Sequence, residues 1–208
     1  MGNKHLALAA ALFGVLALAG FLGVDRALAE LVASHHEWSV WGLGTHGLEV
    51  LFGFPISKWL TGFVLLLLAL VLYFARRRQA AQVLAFVAIV QLATRLTAGV
   101  LKGVLPRLRP FEVLATGGWD SQWFHHAGSS FPSGHAAHFW GLFFPLAVLR
   151  PRLAIWLLPL PLFISAARVA VNDHFLSDVA VSAALAALIT LIAHSVSSPS
   201  ARAFRETC

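Results

Sequence analysis

The chain has 208 residues, of which 59% are hydrophobic and only 12% are charged. A soluble domain of this length needs a largely polar surface, so the composition excludes an ordinary water-soluble globule and predicts a membrane protein. The formal net charge of +6 does not indicate nucleic-acid binding, because the basic residues lie beside apolar runs or in one short motif. The single cysteine, Cys208, excludes an internal disulfide framework and a cysteine-built zinc site.

Six apolar runs are candidates for membrane-spanning helices, which need about 20 mostly apolar residues. In chain order they cover residues 6–23, 58–74, 80–100, 132–149, 153–171 and 175–196. The fourth run is the shortest, and Pro132-Ser133 at its start is typical of a helix N-terminus. The predicted fold is all-α: a polytopic membrane protein with six transmembrane helices, forming one domain over residues 1–208.

Residues 24–55 have a different character, because Asp25, Arg26 and Glu30 alternate with apolar residues and are followed by Trp38 and Trp41. This pattern predicts one or two helices lying in the membrane interface. The cluster His35, His36 and Glu37 is interpreted as a solvated part of that interface. The preceding run is interpreted as an uncleaved anchor rather than a signal peptide, because it is longer than a typical signal core.

The arginines between and after the spans predict the orientation of the chain in the membrane. They lie between spans two and three, between spans four and five, and after span six, at Arg76, Arg77, Arg78, Arg150, Arg152, Arg202 and Arg205. Basic loops face the cytoplasm, so both termini are expected inside. The compact chain suits a bacterial inner (cytoplasmic) membrane protein, with the remaining loops in the periplasm.

One of these outer loops, residues 101–131, begins with three cations within eight residues: Lys102, Arg107 and Arg109. Taken alone, such cations at a membrane boundary indicate contacts with lipid headgroups. The loop leads into Pro132-Ser133-Gly134-His135, where a hydroxyl group and an imidazole meet at a predicted helix N-terminus. The free N–H groups and the dipole at such an end favour a bound anion.

A third polar cluster lies between the last two spans and contains Arg168, His174 and Asp178. Charged groups beside hydrocarbon usually face a cavity and a partner, which favours a functional role. His174 and Asp178 are four residues apart and share a helix face, so the carboxylate can orient the imidazole and stabilise its cation. This arrangement favours a histidine nucleophile.

The three clusters together supply what phosphoryl transfer requires. Fixed cations stabilise charge on the transferred phosphoryl group, a nucleophile attacks phosphorus, and an acid protonates the leaving oxygen. This set of groups requires neither a metal nor a cofactor.

The spacing of the three clusters resembles the type 2 phosphatidic acid phosphatase (PAP2) superfamily. Six residues separate Lys102 from Arg109-Pro110, and the Pro-Ser-Gly-His motif ends at His135. Five residues separate Arg168 from His174, and three more separate His174 from Asp178. The resemblance implies a six-helix membrane fold and metal-independent hydrolysis of a phosphate ester through a phosphohistidine intermediate.

The resemblance also implies residue roles. His174 corresponds to the nucleophile, Asp178 to its orienting carboxylate, and His135 to the acid that protonates the leaving group. The phosphate-binding positions correspond to Lys102, Arg109, Ser133, Gly134 and Arg168. The chain departs from the family pattern at Ala167, where serine is common, and at Pro106, where glycine is frequent, and neither departure removes a catalytic group.

Other polar residues have competing interpretations. His125 and His126 fit exposed loop histidines better than headgroup ligands, and a zinc site at His135 and His138 is disfavoured because neither acid nor cysteine lies in register. A structural role in the helix bundle and a substrate role both fit Gln91 and Arg95. Headgroup selection and interfacial anchoring explain the loop side chains equally well at Trp119, Asp120, Gln122 and Trp123.

The expected function is removal of a terminal phosphate from a lipid phosphate of the bilayer, at a site that opens at the outer leaflet. Phosphatidate, phosphatidylglycerophosphate, a polyprenyl pyrophosphate and a lipid A type molecule all remain candidate substrates, and the sequence does not indicate the oligomeric state. Two alternatives remain open: a phosphotransferase that passes the phosphate to another acceptor, and a lipid-phosphate binder or transporter without turnover.

Overall fold

The computed structural model describes residues 2–34, 47, 50–51, 57, 59–126 and 128–206, with side chains described up to Ser197. Over these ranges the regular elements are helices, and an isolated bridge pairs Arg107 with Trp123. The prediction of an all-α fold is confirmed for this part of the chain. Much of the predicted interfacial segment, including the cluster from His35 to Glu37, lies outside the described residues.

Nine α-helices are described. Their bounds are α1 Asn3–Ala19, α2 Asp25–Ala33, α3 Leu60–Phe74, α4 Arg78–Val104, α5 Pro110–Thr116, α6 Gly134–Leu149, α7 Ala154–Leu157, α8 Pro159–Ala170 and α9 Leu176–Glu206. A π-helical turn, Gly20–Val24, joins α1 to α2, and short 3-10 turns occupy Trp119–Ser121 and Pro151–Leu153.

Four helical stretches are long and apolar enough to cross a membrane: Asn3–Ala33, Arg78–Val104, Pro151–Ala170 and Leu176–Ser197. They confirm an integral membrane protein. Helices α3 and α6 occupy the second and fourth predicted spans but have only 15 and 16 residues. At about 1.5 Å per residue they reach about 22–24 Å, less than the roughly 30 Å of a bilayer core. Six crossings therefore stay a prediction.

Helix α6 lies at the centre of the bundle, because 12 of its 16 residues are buried. A helix that is apolar on all sides is stable only when neighbours enclose it. On one side, Trp140 and Phe144 pack against α1 and against small residues of α9, which let the helices approach closely. The small α9 residues in this core are Ala183, Ala186 and Ala187.

A second core joins α4, α6 and α8 through Val87, Phe139 and Ile164. Large apolar side chains on the outer faces of α1, α3 and α8 are exposed, among them Leu12, Phe63 and Leu162. Exposed apolar surface of this extent is typical of helices whose solvent is lipid.

The chain direction of the helices brings the three polar clusters to the same end of the bundle. Helix α4 ends beside Lys102, α6 begins after Ser133, and α9 begins two residues after His174. The turns before Arg78 and after Leu149 therefore lie at the opposite end. There Asn3 of α1 contacts His194 of α9, with 2.7 Å between Oδ1 and Nδ1.

Candidate active site

Ser129 and Ser130 connect the first polar cluster to the third. Lys102, in the last turn of α4 rather than in the loop, donates from Nζ to the carbonyl of Ser129. Arg109 Nε donates to Ser129 Oγ at 3.2 Å, and Ser130 Oγ donates to the carboxylate of Asp178. The sequence carries these serines just before the Pro-Ser-Gly-His motif, but their spacing gave no sign of this role.

The N-terminus of α6 lies beside the third polar cluster. Ser133 is the N-cap residue, as the sequence predicts, and its Oγ accepts from the N–H of Ala136 at 3.4 Å. The Ser133 N–H donates to the carbonyl of Asp178 at 3.2 Å, which ties α6 to α9. Gly134 and the half-buried His135 follow directly, so the positive end of the helix dipole lies beside both.

His174 and Asp178 form the buried pair that the sequence predicts. The side chain of His174 is 3% exposed, and 3.7 Å separates its Nδ1 from Asp178 Oδ2. This distance exceeds a hydrogen bond, although catalytic contacts commonly tighten when substrate binds. The same Oδ2 accepts from the N–H of Phe175 at 2.9 Å, so the carboxylate has a fixed orientation.

The surroundings of His174 favour its neutral form. Burial lowers the pKa of His174 to about 4. Asp178 acts in the opposite direction and raises the pKa, whereas Lys102 and Arg168 lower it further. At neutral pH the imidazole is therefore uncharged, which is the form that carries a free electron pair for attack on phosphorus.

Two predicted phosphate-binding arginines meet at a carboxylate that the sequence analysis did not assign to the site. Arg109 Nη1 donates to Asp173 Oδ1 at 2.8 Å, and Arg168 Nη2 donates to Oδ2 of the same side chain. Although burial raises the pKa of Asp173, the two arginines outweigh it and hold the pKa below its ordinary value. An ionised carboxylate therefore joins Arg109 to Arg168 beside His174.

Arg107 is buried, whereas the sequence grouped it with boundary cations. Its side chain is 2% exposed, and Nη1 donates to Asp178 Oδ1 at 2.8 Å. Nη2 donates to Asp25 Oδ2 at 2.9 Å, and Nε donates to Gln122 Oε1 at 2.8 Å. The guanidinium carbon lies 3.8 Å from the ring centre of Phe175. Arg107 therefore holds the carboxylate of Asp178 through a buried ion pair.

The sequence pattern placed Asp25 in the interfacial segment and gave no indication that its side chain is buried. Asp25 is 5% exposed and contacts the site through Arg107, because α2 continues from α1 and turns the side chain inward. A carboxylate at the end of a long apolar run is costly unless it has a partner, but the sequence does not show whether that partner is water or a buried cation.

The remaining polar residues have structural contacts. Gln91 Nε2 and His138 Nδ1 lie 3.1 Å apart in the bundle, and Arg95 donates to the carbonyl of Gly134. His125 and His126 are exposed. Among the residues that the structure describes, no group of three His, Cys, Asp or Glu side chains could hold a metal ion.

A cavity of about 380 Å³ lies beside Arg107 and Asp25. Its lining includes three of the four loop side chains for which headgroup selection and interfacial anchoring were the competing interpretations, and includes neither His135 nor His174. The lining side chains from this loop are Trp119, Gln122 and Trp123. These residues therefore lie beside Arg107 and Asp25 rather than beside His135 and His174.

Comparison with known proteins agrees with these motifs. The model of the PAP2 superfamily matches residues 82–202, which include all three polar clusters. The crystal structure of a transmembrane PAP2-type phosphatidylglycerolphosphate phosphatase from Bacillus subtilis is similar, with a TM-score of 0.57 and 19% sequence identity. The match covers 95% of this chain and 96% of the other, and shows a shared fold. No curated protein sequence matches the chain.

Proposed function

Because the chain belongs to the PAP2 superfamily, we propose that it hydrolyses the terminal phosphate of a membrane lipid phosphate through a phosphohistidine on His174. The observation that carries the proposal is the placement of a buried, neutral imidazole between a carboxylate and a group of cations. Nδ1 of His174 faces Asp178, which leaves Nε2 for phosphorus. Arg109 and Arg168, together with Lys102, supply positive charge for the phosphoryl oxygens.

The reaction needs two steps. In the first, Nε2 of His174 attacks phosphorus, the bond to the lipid oxygen breaks, and protonated His135 gives its proton to the leaving oxygen. In the second, His135 takes a proton from water as the water attacks phosphorus. The phosphorus–nitrogen bond then breaks, and inorganic phosphate leaves with His174 restored. Asp178 stabilises the positive charge that the imidazole carries in between.

The substrate class follows from the position of the site at one end of a lipid-facing bundle. An acyl or prenyl chain can remain in hydrocarbon while the phosphate enters the cationic pocket. Phosphatidate, phosphatidylglycerophosphate, polyprenyl pyrophosphate and lipid A type molecules all meet this requirement. The arginine-rich turns lie at the opposite end, which supports a cytoplasmic position for them in a bacterial inner membrane and a periplasmic site.

The test is phosphate release by purified protein from a panel of these four lipid classes, in the presence of a chelator. We expect His174→Ala to abolish turnover of whichever lipid the wild type cleaves. His194→Ala is the matched control, because this histidine lies on the same helix at the far end. Equal phosphate release by wild type and His174→Ala would overturn the proposal.

A further inference from the structure

Asp25 lies outside the three motifs, but its buried carboxylate contacts Arg107, the residue that pairs with Asp178. Its Oδ2 accepts from Arg107 Nη2 at 2.9 Å, and Arg107 Nη1 donates to Asp178 at 2.8 Å. We propose that Asp25 is a positioning residue for phosphoryl transfer: acting through Arg107, it holds Asp178 and therefore His174 ready for attack. This inference rests on the proposed function of His174.

The backbone before Asp25 has an unusual form that directs the carboxylate inward. The π-helical turn Gly20–Val24 contains Gly23 at φ 136°, a conformation that favours glycine. A Cβ atom on Gly20 would lie 2.6 Å from Asp25 Oδ1 and 2.9 Å from Ser177 Cβ. A side chain at Gly20 would therefore displace the carboxylate, so the turn and the position of Asp25 depend on each other.

Asp25 also binds the start of α9, the helix that carries Asp178. Its Oδ1 accepts from the N–H of Ser177 at 2.9 Å, and Ser177 Oγ donates to Oδ2. Ser177 Oγ in turn accepts from Arg107 Nη1 at 2.7 Å. A carboxylate at a helix N-terminus satisfies free N–H groups and interacts favourably with the dipole. The first turn of α9 therefore has a fixed position relative to α2.

Helix α2 is itself held against the site. Ala29 packs in one core with Leu108, Val113 and Phe175, and Asn172 Nδ2 donates to the Ala29 carbonyl at 3.1 Å. Phe175 and Asn172 both adjoin the segment that carries His174. Helix α2 therefore contacts the residues immediately around His174.

The charges explain why a carboxylate is needed at this position. If Arg107 paired with Asp178 alone, its positive charge would offset the negative charge that stabilises the imidazole cation. Asp25 neutralises Arg107 instead, so the three groups together retain one negative charge beside His174. Asp25 therefore preserves the electrostatic effect of Asp178 as well as its orientation.

Asp25→Asn removes the charge while keeping the shape of the side chain. The described contacts of Asp25 are with Arg107 and Ser177, and none is with the predicted phosphate-binding side chains. We therefore expect kcat to fall by about 10- to 100-fold, the range for a misplaced reacting group, with KM nearly unchanged. Inhibition by inorganic phosphate should also remain unchanged. Glu30→Gln is the matched control, because it removes an exposed carboxylate from the same helix.

The titration of His174 supplies a readout that does not need turnover. In ¹⁵N-histidine-labelled protein in micelles, with the resonance assigned by His174→Ala, Asp25→Asn should lower the pKa of His174, because Arg107 loses its counter-charge. Glu30→Gln should leave it in place. The other charged groups that face His174 are identical in both variants: Asp178, Arg107, Lys102, Arg168 and Asp173.

Each outcome is decisive. A lower kcat with unchanged phosphate inhibition and a shifted titration supports the positioning role. An unchanged kcat, an unshifted titration, or phosphate affinity lost in parallel with kcat would overturn it. If the wild type cleaves none of the lipids, the proposed function fails, and the titration of His174 alone then supports or overturns the coupling to Asp25.

Discussion

The buried side chains beside His174 alternate in charge from Asp25 to Arg107 to Asp178. Each of these groups is nearly inaccessible, with side-chain exposures of 6%, 2% and 0%. Ionised groups tolerate such burial only when they are paired and hydrogen-bonded. At the scale of single residues, the site is therefore a network in which removing one charge changes the environment of the next.

The lowered pKa of His174 predicts an unusual pH dependence of activity. If the neutral imidazole is the nucleophile, as proposed, its pKa of about 4 should keep it active well below pH 6.5. The measurement is kcat/KM against pH for two lipid phosphates whose own phosphate pKa values differ. The acid limb that does not move with substrate should lie near pH 4, and a substrate-independent acid limb near pH 6.5 would contradict the assignment.

The same shift has a consequence for stability. In the unfolded chain the imidazole titrates near 6.5, whereas in the folded protein it titrates near 4. Between these values the unfolded chain binds more protons, so acidification through this range favours unfolding. The contribution of His174 to stability is therefore complete above about pH 6.5 and decreases as the pH falls toward 4.

The helices differ in what stabilises them. Helix α6 is enclosed by its neighbours, whereas α3 exposes large apolar side chains such as Phe63 and Leu67. Helix α3 is nevertheless fixed by a close approach to α4 at Gly62. Without a hydrophobic driving force between helices in lipid, such contacts between small residues contribute much of the packing energy.

Gly62→Ala should weaken the packing of α3 against α4. A Cβ atom there would lie 2.4 Å from Gln91 Oε1 and 2.5 Å from Leu92 Cδ2, so the side chains of Gln91 and Leu92 would have to leave their present positions. We expect a loss of about 1–3 kcal/mol, measured as a lower Tm in detergent. Gly99→Ala on α4 is the control, because nothing lies within 4 Å of its added Cβ. Equal Tm values for the two variants would contradict this account of the packing.

At the scale of the whole molecule, the helix order separates two chemically different ends. The end at Lys102, Ser133 and His174 gathers the polar side chains of the site, and the other end has the arginine-rich turns. Helix α1 begins beside α9 at the end with the arginine-rich turns and leads to Asp25 at the site end.

Cysteine labelling tests the proposed orientation. With Cys208 replaced by serine, Asp120→Cys places a thiol on an exposed residue at the site end, and Gln79→Cys places one on an exposed residue at the opposite end. In intact spheroplasts, a membrane-impermeant maleimide should label Asp120→Cys and should label Gln79→Cys only after lysis. The reverse pattern would place the site in the cytoplasm, and labelling of both before lysis would exclude the predicted crossings.

The sequence by itself determined the membrane class, the positions of the long apolar helices and the three motifs. Apolar run length is a local property, and the motif spacing places His174 and Asp178 on one helix face without reference to the rest of the fold. The same spacing indicated a resemblance to the PAP2 superfamily, which the family model confirmed. The helix start at Ser133 was also predictable, because capping depends on adjacent residues.

Only the tertiary structure showed what surrounds the histidine. Arg107 and Asp25 are 82 positions apart along the chain. Asp173 can contact both of its arginine partners only because α5 lies beside the turn before α9. Whether a charged residue at a membrane boundary faces water or a buried partner depends on which helices pack together. Local sequence does not contain that information, so the sequence predicted the reacting groups and the fold showed the charged residues that surround them.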